Sequence, residues 1–278
     1  MNRRGKILDG DLLIIGHRGA SAHAPENTLA AFDLALQEGA DGIEFDVRLA
    51  RDRVPVVIHD PTLRRTAPRD GLVESLPSEE MRSLDAGTWF NRRNPAHAQV
   101  RFARERIPTL AEVFDRFGSR AHVLYVEMKC DDPSLHAPLA RAVVELVHEH
   151  RLTDRVVVKS FEHALVSEAK RLAPEIRAAA LFDRKWSRPL LPAAGIIADA
   201  SRCGADEISL HRSLLRRATV EAARAAGFDV IVWTVDTPFW LRRALALGLR
   251  AVITNRPAEM LAALEEIRAR AHARHERR

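Results

Sequence analysis

The chain has 278 residues, 46% hydrophobic and 29% charged, with 43 basic and 38 acidic side chains. That length holds a self-sufficient core, as one large α/β domain or two small ones, and that hydrophobicity excludes a disordered chain. The formal charge of +5 suggests a polyanion partner, but residues 1–11 carry +1 and residues 268–278 carry +4, so the body between them is neutral.

The first strand is predicted over 12–16, behind Arg3, Arg4 and Lys6. Its apolar run, Leu12-Leu13-Ile14-Ile15, is too short for a signal-peptide core or for the roughly 20 apolar residues of a membrane span. A cytoplasmic protein without a membrane span is expected. A helix at 28–38 follows, with Asn27 or Thr28 as its cap and Gly39 as the left-handed residue after its end. Strands at 42–47 and 54–59 are too close for a crossover helix, so they form a hairpin or an irregular tight crossover. Residues 61–108 contain five prolines and two glycines without a sustained helical period and read as an insertion.

Beyond the insertion, strands at 122–128, 155–160, 177–182, 206–210, 229–235 and 251–254 are interleaved with helices at 138–151, 162–172, 213–226 and 238–247. From 259 a helix runs into an arginine-rich tail, expected to be solvated. Cys130 and Cys203 are expected to be buried and inert. Alternating β and α elements argue for a parallel sheet with helices outside. Without the insertion 230 residues remain, the size of an eight-stranded barrel, and a hairpin would absorb the ninth strand. A doubly wound open sheet is the alternative, although no Gly-x-Gly-x-x-Gly follows a strand. The predicted fold is a TIM-like (β/α)8 barrel. Its single catalytic domain covers 12–258, with the insertion 61–108 after the third strand, and 259–278 form a basic C-terminal helix and tail.

Ionisable residues gather at the predicted strand ends, the catalytic face of a parallel barrel. They are His17 and Arg18 after the first strand, Glu44 and Asp46 on one face of the second, His59 with Asp60 at the end of the third, and Glu127 on the fourth with Lys129 following on its face. Two carboxylates on one buried strand face are costly unless a cation compensates. With Glu127 they make three carboxylates and no thiolate, which points to Mg²⁺ or Ca²⁺ rather than zinc. Two histidines, an arginine and a lysine beside such a cation suit chemistry on a phosphate ester. Arg18 and Lys129 would neutralise the non-bridging oxygens, and the histidines would pass protons to and from the attacking and leaving oxygens. A nucleic-acid binder would need a continuous basic face, which a neutral body does not offer, so no nucleic-acid partner is expected. Nothing in the sequence fixes an oligomeric state.

At these residues the sequence resembles the glycerophosphodiester phosphodiesterase family, from about 14 to 258. The resemblance is carried by Gly16-His17-Arg18-Gly19-Ala20 with Pro25-Glu26-Asn27-Thr28, by Glu44-Phe45-Asp46-Val47, and by His59-Asp60-Pro61-Thr62-Leu63-Arg64-Arg65-Thr66. Ile107-Pro108-Thr109-Leu110 with Glu112, Glu127-Met128-Lys129, Ser160-Phe161, Trp233-Thr234-Val235 and Thr254-Asn255-Arg256-Pro257 continue it in register. It implies a TIM-like barrel and a metal-dependent hydrolysis of small glycerophosphodiesters to glycerol 3-phosphate and an alcohol. His17 and His59 would be the acid/base pair, and Glu44, Asp46 and Glu127 the metal ligands. Arg18 and Lys129 would contact phosphate, and Trp233 would line the glycerol or alcohol side. Attack by the glycerol 2-hydroxyl, through a cyclic phosphate, and attack by water are both compatible with these residues. A lysophospholipase D-type reaction on longer lipid phosphodiesters is the alternative, and it predicts an apolar channel at the barrel mouth.

Overall fold

The short apolar strands close into a barrel in the computed structural model, which describes residues 12–184 and 192–275. Strands β1 (Leu13–His17), β2 (Gly42–Leu49), β3 (Pro55–Val57), β4 (Val123–Met128), β5 (Val156–Ser160), β6 (Arg177–Phe182), β7 (Glu207–His211), β8 (Asp229–Trp233) and β9 (Ala251–Thr254) form one sheet. All but β3 are parallel, ordered β1-β9-β8-β7-β6-β5-β4-β2, and β1 pairs with β2 to close the circle. Between the two predicted alternatives the structure selects the hairpin, because β3 runs antiparallel to β2 with Val47 opposite Val57. Closure also removes the open-sheet alternative.

Alternation along each strand separates two apolar layers. Leu13, Ile15, Tyr125, Val157, Ile231 and Ile253 fill the lumen. Their neighbours Ile14, Ile43, Phe45, Leu124 and Val126 face the helices. Those helices are α1 (Leu29–Gln37), the short α2 (Ser78–Met81) and α3 (Thr88–Arg93) of the insertion, α4 (Leu110–Phe117), α5 (His136–Glu149), α6 (His163–Leu172), α7 (Ala193–Arg202), α8 (Arg217–Ala225), α9 (Pro238–Ala246) and α10 (Pro257–His275).

Thr28, rather than Asn27, caps α1 by accepting from Ala31 N, and Gly39 takes the left-handed turn after it at φ 96°. Helix α4 begins with a reciprocal Thr109–Glu112 capping box and buries Leu110, Val113, Phe114 and Phe117. The insertion has more order than its prolines suggest. Its short helical turns pack Leu63, Val73, Met81 and Ile107 over Val56 and Ile58, and Phe90 meets Phe102 edge-on at 5.7 Å. The predicted C-terminal tail is largely helical, since α10 continues to His275. Its alanine and arginine content favours that state, and Glu266 pairs with Arg270 one turn on. Residues 276–278, and Arg3, Arg4 and Lys6, lie outside the described residues. Cys130 and Cys203 are buried and free. Among the described residues no helix is long and apolar enough to cross a membrane.

A polar plug seals the end of the barrel where the strands begin. Glu207 is fully buried there, accepting from the Tyr125 hydroxyl at 2.9 Å, with the Arg177 and Arg250 guanidiniums 3.0 and 3.3 Å from its other oxygen. Burial pushes its carboxyl up in proton affinity, against the two arginines. Arg177 and Arg250 keep 41% and 34% of their side chains exposed, so without Glu207 they stay partly hydrated and the buried Tyr125 hydroxyl alone loses its acceptor in the interior. Glu207→Ala is therefore expected to lower unfolding stability by about 2 kcal/mol in urea titration.

Candidate active site

The opposite end of the barrel is built by the strand C-termini. Register alone aligns part of it: His17 is opposite Glu44, Asp46 opposite Glu127, and Glu127 opposite Lys159 on three successive pairs of strands. The β2–β3 hairpin brings His59 to the same level, because Ile58 N donates to Asp46 O.

After β1 the chain turns back sharply onto α1. Arg18 takes a left-handed conformation at φ 54°, and at Gly19 (φ 84°) a Cβ would lie 2.5 Å from the Ala31 carbonyl carbon. Only glycine fits that approach. The turn directs Arg18 N to Glu44 Oε2 at 3.3 Å, and its guanidinium to Glu26 at 2.8 Å and Asp46 at 3.1 Å. Asn27, also left-handed, gives its side-chain amide to Asp46 Oδ2 at 2.9 Å.

Glu44, Asp46 and Glu127 are all buried, and one oxygen of each lies within 4.8 Å of the others. Burial opposes ionisation of Asp46, but the charges of Arg18, Lys129 and His59 outweigh it and hold the carboxyl far below its ordinary range. Glu44 is lowered too, since Lys159 and His17 overcome its desolvation. Lys129 Nζ touches Glu127 and lies 3.5 Å from Asp46 Oδ1; these carboxylates keep it protonated against its own burial. Glu44 Oε1 faces Lys159 Nζ and Glu127 Oε1 is touched by Lys129 Nζ, so ammonium groups hold these oxygens. Three buried carboxylates with oxygens this close, and no thiolate or imidazole among them, form an all-oxygen set that fits a hard divalent cation.

The two histidines are oriented alike by different partners. His17 Nδ1 lies 2.7 Å from Asn255 Oδ1. Asn255 Nδ2 and backbone N are committed to Asp236 at 2.7 and 2.8 Å, so the amide oxygen faces the ring and His17 donates from Nδ1. That leaves Nε2 unprotonated in the neutral ring, 3.9 Å from Glu44 Oε2. His59 Nδ1 lies 2.6 Å from Asp60 Oδ1, and Arg65 holds the other Asp60 oxygen at 2.6 Å. Although burial works against it, Arg65 and His59 lower Asp60 to about 2. A carboxylate on Nδ1 fixes the ring and leaves Nε2 for proton transfer. Arg65, from the insertion, also grips Glu26 through both terminal nitrogens at 2.7 and 2.8 Å, which ties His59 to the Arg18 turn.

Trp233 stands on the far wall, its ring 5.6 Å from Phe161 and 5.0 Å from His211. Lys129 Nζ lies 5.7 Å from the Phe161 ring centre, linking that wall to the carboxylates. Beside Lys129 opens a cavity of about 300 Å³, walled by Arg48, Glu74 and Asp132 as well as Leu72 and Leu135. It is mixed in character rather than an apolar channel.

All eight residues singled out from the sequence therefore lie at one end of the barrel. Sequence reasoning passed over Lys159, which is buried in the lumen with Nζ 2.7 Å from Glu44 Oε1 and 3.7 Å from Glu127 Oε2. The available signal was a charge inside the apolar run Val156-Val157-Val158-Lys159. It also treated Asn27 as a helix cap and did not see the Asp236–Asn255 anchor of His17.

The sequence profile of the glycerophosphoryl diester phosphodiesterase family matches residues 17–259. A glycerophosphodiester phosphodiesterase of Caldanaerobacter subterraneus subsp. tengcongensis is 34% identical over 251 residues, covering 90% of this chain and 96% of that protein. Among solved structures, an Oleispira antarctica phosphodiesterase in complex with the product sn-glycerol-3-phosphate is similar at a TM-score of 0.79 and 31% identity, covering 91% of this chain and 96% of that one. A glycerophosphodiester phosphodiesterase from Agrobacterium tumefaciens is similar at a TM-score of 0.75 and 33% identity, covering 91% of this chain and all of that one.

Proposed function

Because the chain belongs to the glycerophosphoryl diester phosphodiesterase family, we propose that it hydrolyses small glycerophosphodiesters to glycerol 3-phosphate and an alcohol. The observation that carries this reading is the pair of histidines from separate strands. Each is anchored at Nδ1, which leaves Nε2 for proton transfer, at the same barrel end as the three carboxylates and the Arg18 and Lys129 cations.

In this reading Glu44, Asp46 and Glu127 hold Mg²⁺ or Ca²⁺, which would supply Lewis-acid stabilisation of charge growing on the phosphate. Arg18 and Lys129, only partly exposed, neutralise the non-bridging oxygens. One histidine Nε2 takes the proton of the attacking group, water or the glycerol 2-hydroxyl, and the other, protonated, gives one to the leaving alkoxide; after attack by the 2-hydroxyl, water opens the cyclic phosphate to glycerol 3-phosphate. Asn255 and Asp60 keep those nitrogens aimed while charge passes through the rings. Trp233 and Phe161 form the apolar wall for the glycerol carbons, and the cavity beside Lys129 receives the alcohol. The single domain 12–258 carries all of these groups, and the reaction belongs to the cytoplasm.

The test is release of glycerol 3-phosphate from glycerophosphocholine with Mg²⁺, with Ca²⁺ and with chelator. Turnover that needs one of the cations is expected. A higher kcat/KM on lysophosphatidylcholine, or full turnover in chelator, would overturn the reading. Cyclic glycerol phosphate in rapid-quench samples would identify the substrate hydroxyl as nucleophile.

A further inference from the structure

Three carboxylates meet three side-chain cations at the barrel mouth, so the cluster of Glu44, Asp46 and Glu127 with Arg18, Lys129 and Lys159 is electroneutral before any ion is counted. The three cations are not equivalent. Arg18 and Lys129 keep 18% and 15% of their side chains exposed, where a phosphate anion can reach them. Lys159 is only 2% exposed, enters from β5 on the lumen side, and among the described residues has ion-pair contacts with Glu44 and Glu127 alone. It therefore lies away from the exposed face a phosphate can reach, and its two partners are carboxylates that would also hold the cation.

We propose that Lys159 is a built-in counter-charge that competes with the divalent cation for Glu44 and Glu127 and so sets the affinity of the site for that ion. The inference rests on the metal reading of the three carboxylates given above. Two consequences follow from elementary electrostatics. An ammonium within a few ångströms of a divalent cation repels it, so the lysine weakens binding. The same ammonium compensates two buried carboxylates whenever the ion is absent, so the lysine lets the barrel keep its mouth without metal. Lys159 is a positioning residue in this sense, acting on the ion through the carboxylates rather than on the substrate.

The experiment is calorimetric titration of the full chain with MgCl₂ and with CaCl₂, for wild type, Lys159→Met and Lys159→Gln. Thermal melting in chelator and in saturating cation accompanies it. The expected result is at least tenfold tighter cation binding in both variants. Their Tm should fall in chelator, and the rise on adding cation should be larger than in wild type. A purely structural lysine would lower Tm equally in both conditions and would not tighten binding. Normal wild-type binding with equal or weaker affinity in the variants overturns the proposal while sparing the metal reading. No binding by the wild type overturns both. A variant that folds only with cation supports the proposal, since the ion then replaces the ammonium. Failure of both variants to fold even in saturating cation overturns it, because the ion should substitute for the lost charge.

Discussion

His17→Ala and His59→Ala are each expected to reduce kcat for glycerophosphodiester hydrolysis by about 10²- to 10⁴-fold, the range of a lost acid or base. Neither substitution removes a carboxylate of the trio, so calorimetric cation affinity should stay close to wild type. Both rings sit at the barrel mouth on separate anchors, His17 on Asn255 and His59 on Asp60. Each substitution therefore leaves the other histidine oriented. The pattern separates proton transfer from mere support. Asn255→Ala keeps the His17 imidazole but frees its Nδ1, and is expected to cost less than His17→Ala, about tenfold to a hundredfold, from loss of ring orientation. Near-normal turnover in either histidine variant would refute the acid/base assignment. A fall in cation affinity matching the fall in rate would instead place the lost histidine in the support of the carboxylates.

Much of this arrangement is written in strand parity. Glu44 and Asp46, two apart on β2, must share a face, and the strand-end placement of His17, Glu127 and Trp233 follows from the alternation of apolar runs with helices. What parity cannot convey is register between strands. Lys159 escaped notice because its meaning depends on lying opposite Glu127, a pairing set by the stagger of the closed barrel and not by anything local to β5. Asn255 and Asp236 met the same obstacle, being brought to His17 only when β9 pairs with β1. The hairpin was undecidable for a different reason, since six connecting residues permit more than one geometry until β2 finds β4 on its other edge. Helix α4 was legible in principle. Thr109 and Glu112 have the spacing of a capping box ahead of Leu110, Val113, Phe114 and Phe117, but Pro108 and the irregular segment before it masked the period.

Asp46→Asn carries the second large expected effect, on stability and turnover together. Asp46 is the shared partner of Arg18 at 3.1 Å, Lys129 at 3.5 Å and the Asn27 amide at 2.9 Å, and it is 1% exposed. The neutral amide keeps the shape but leaves two cations short of one buried counter-charge. A loss of about 3 kcal/mol in unfolding free energy is expected, and, on the proposal that Asp46 holds the cation, kcat/KM lower by about 10³-fold. Asn27→Ala removes the donor to the carboxylate and the acceptor of Asp46 N, and puts alanine at φ 57°, so it should cost about 2 kcal/mol. The sign of the pH dependence follows from the depressed carboxyl. In the unfolded chain Asp46 titrates near ~3.9, whereas in the barrel Arg18, Lys129 and His59 hold it far lower despite burial. Its ionisation therefore contributes stability that is complete above that unfolded value and is lost as pH falls toward the folded one. The Tm gap between wild type and Asp46→Asn should be constant from neutral pH down to about 5 and narrow below about 4. A gap that stays constant below pH 4 would mean that packing, not charge, is what the asparagine disturbs.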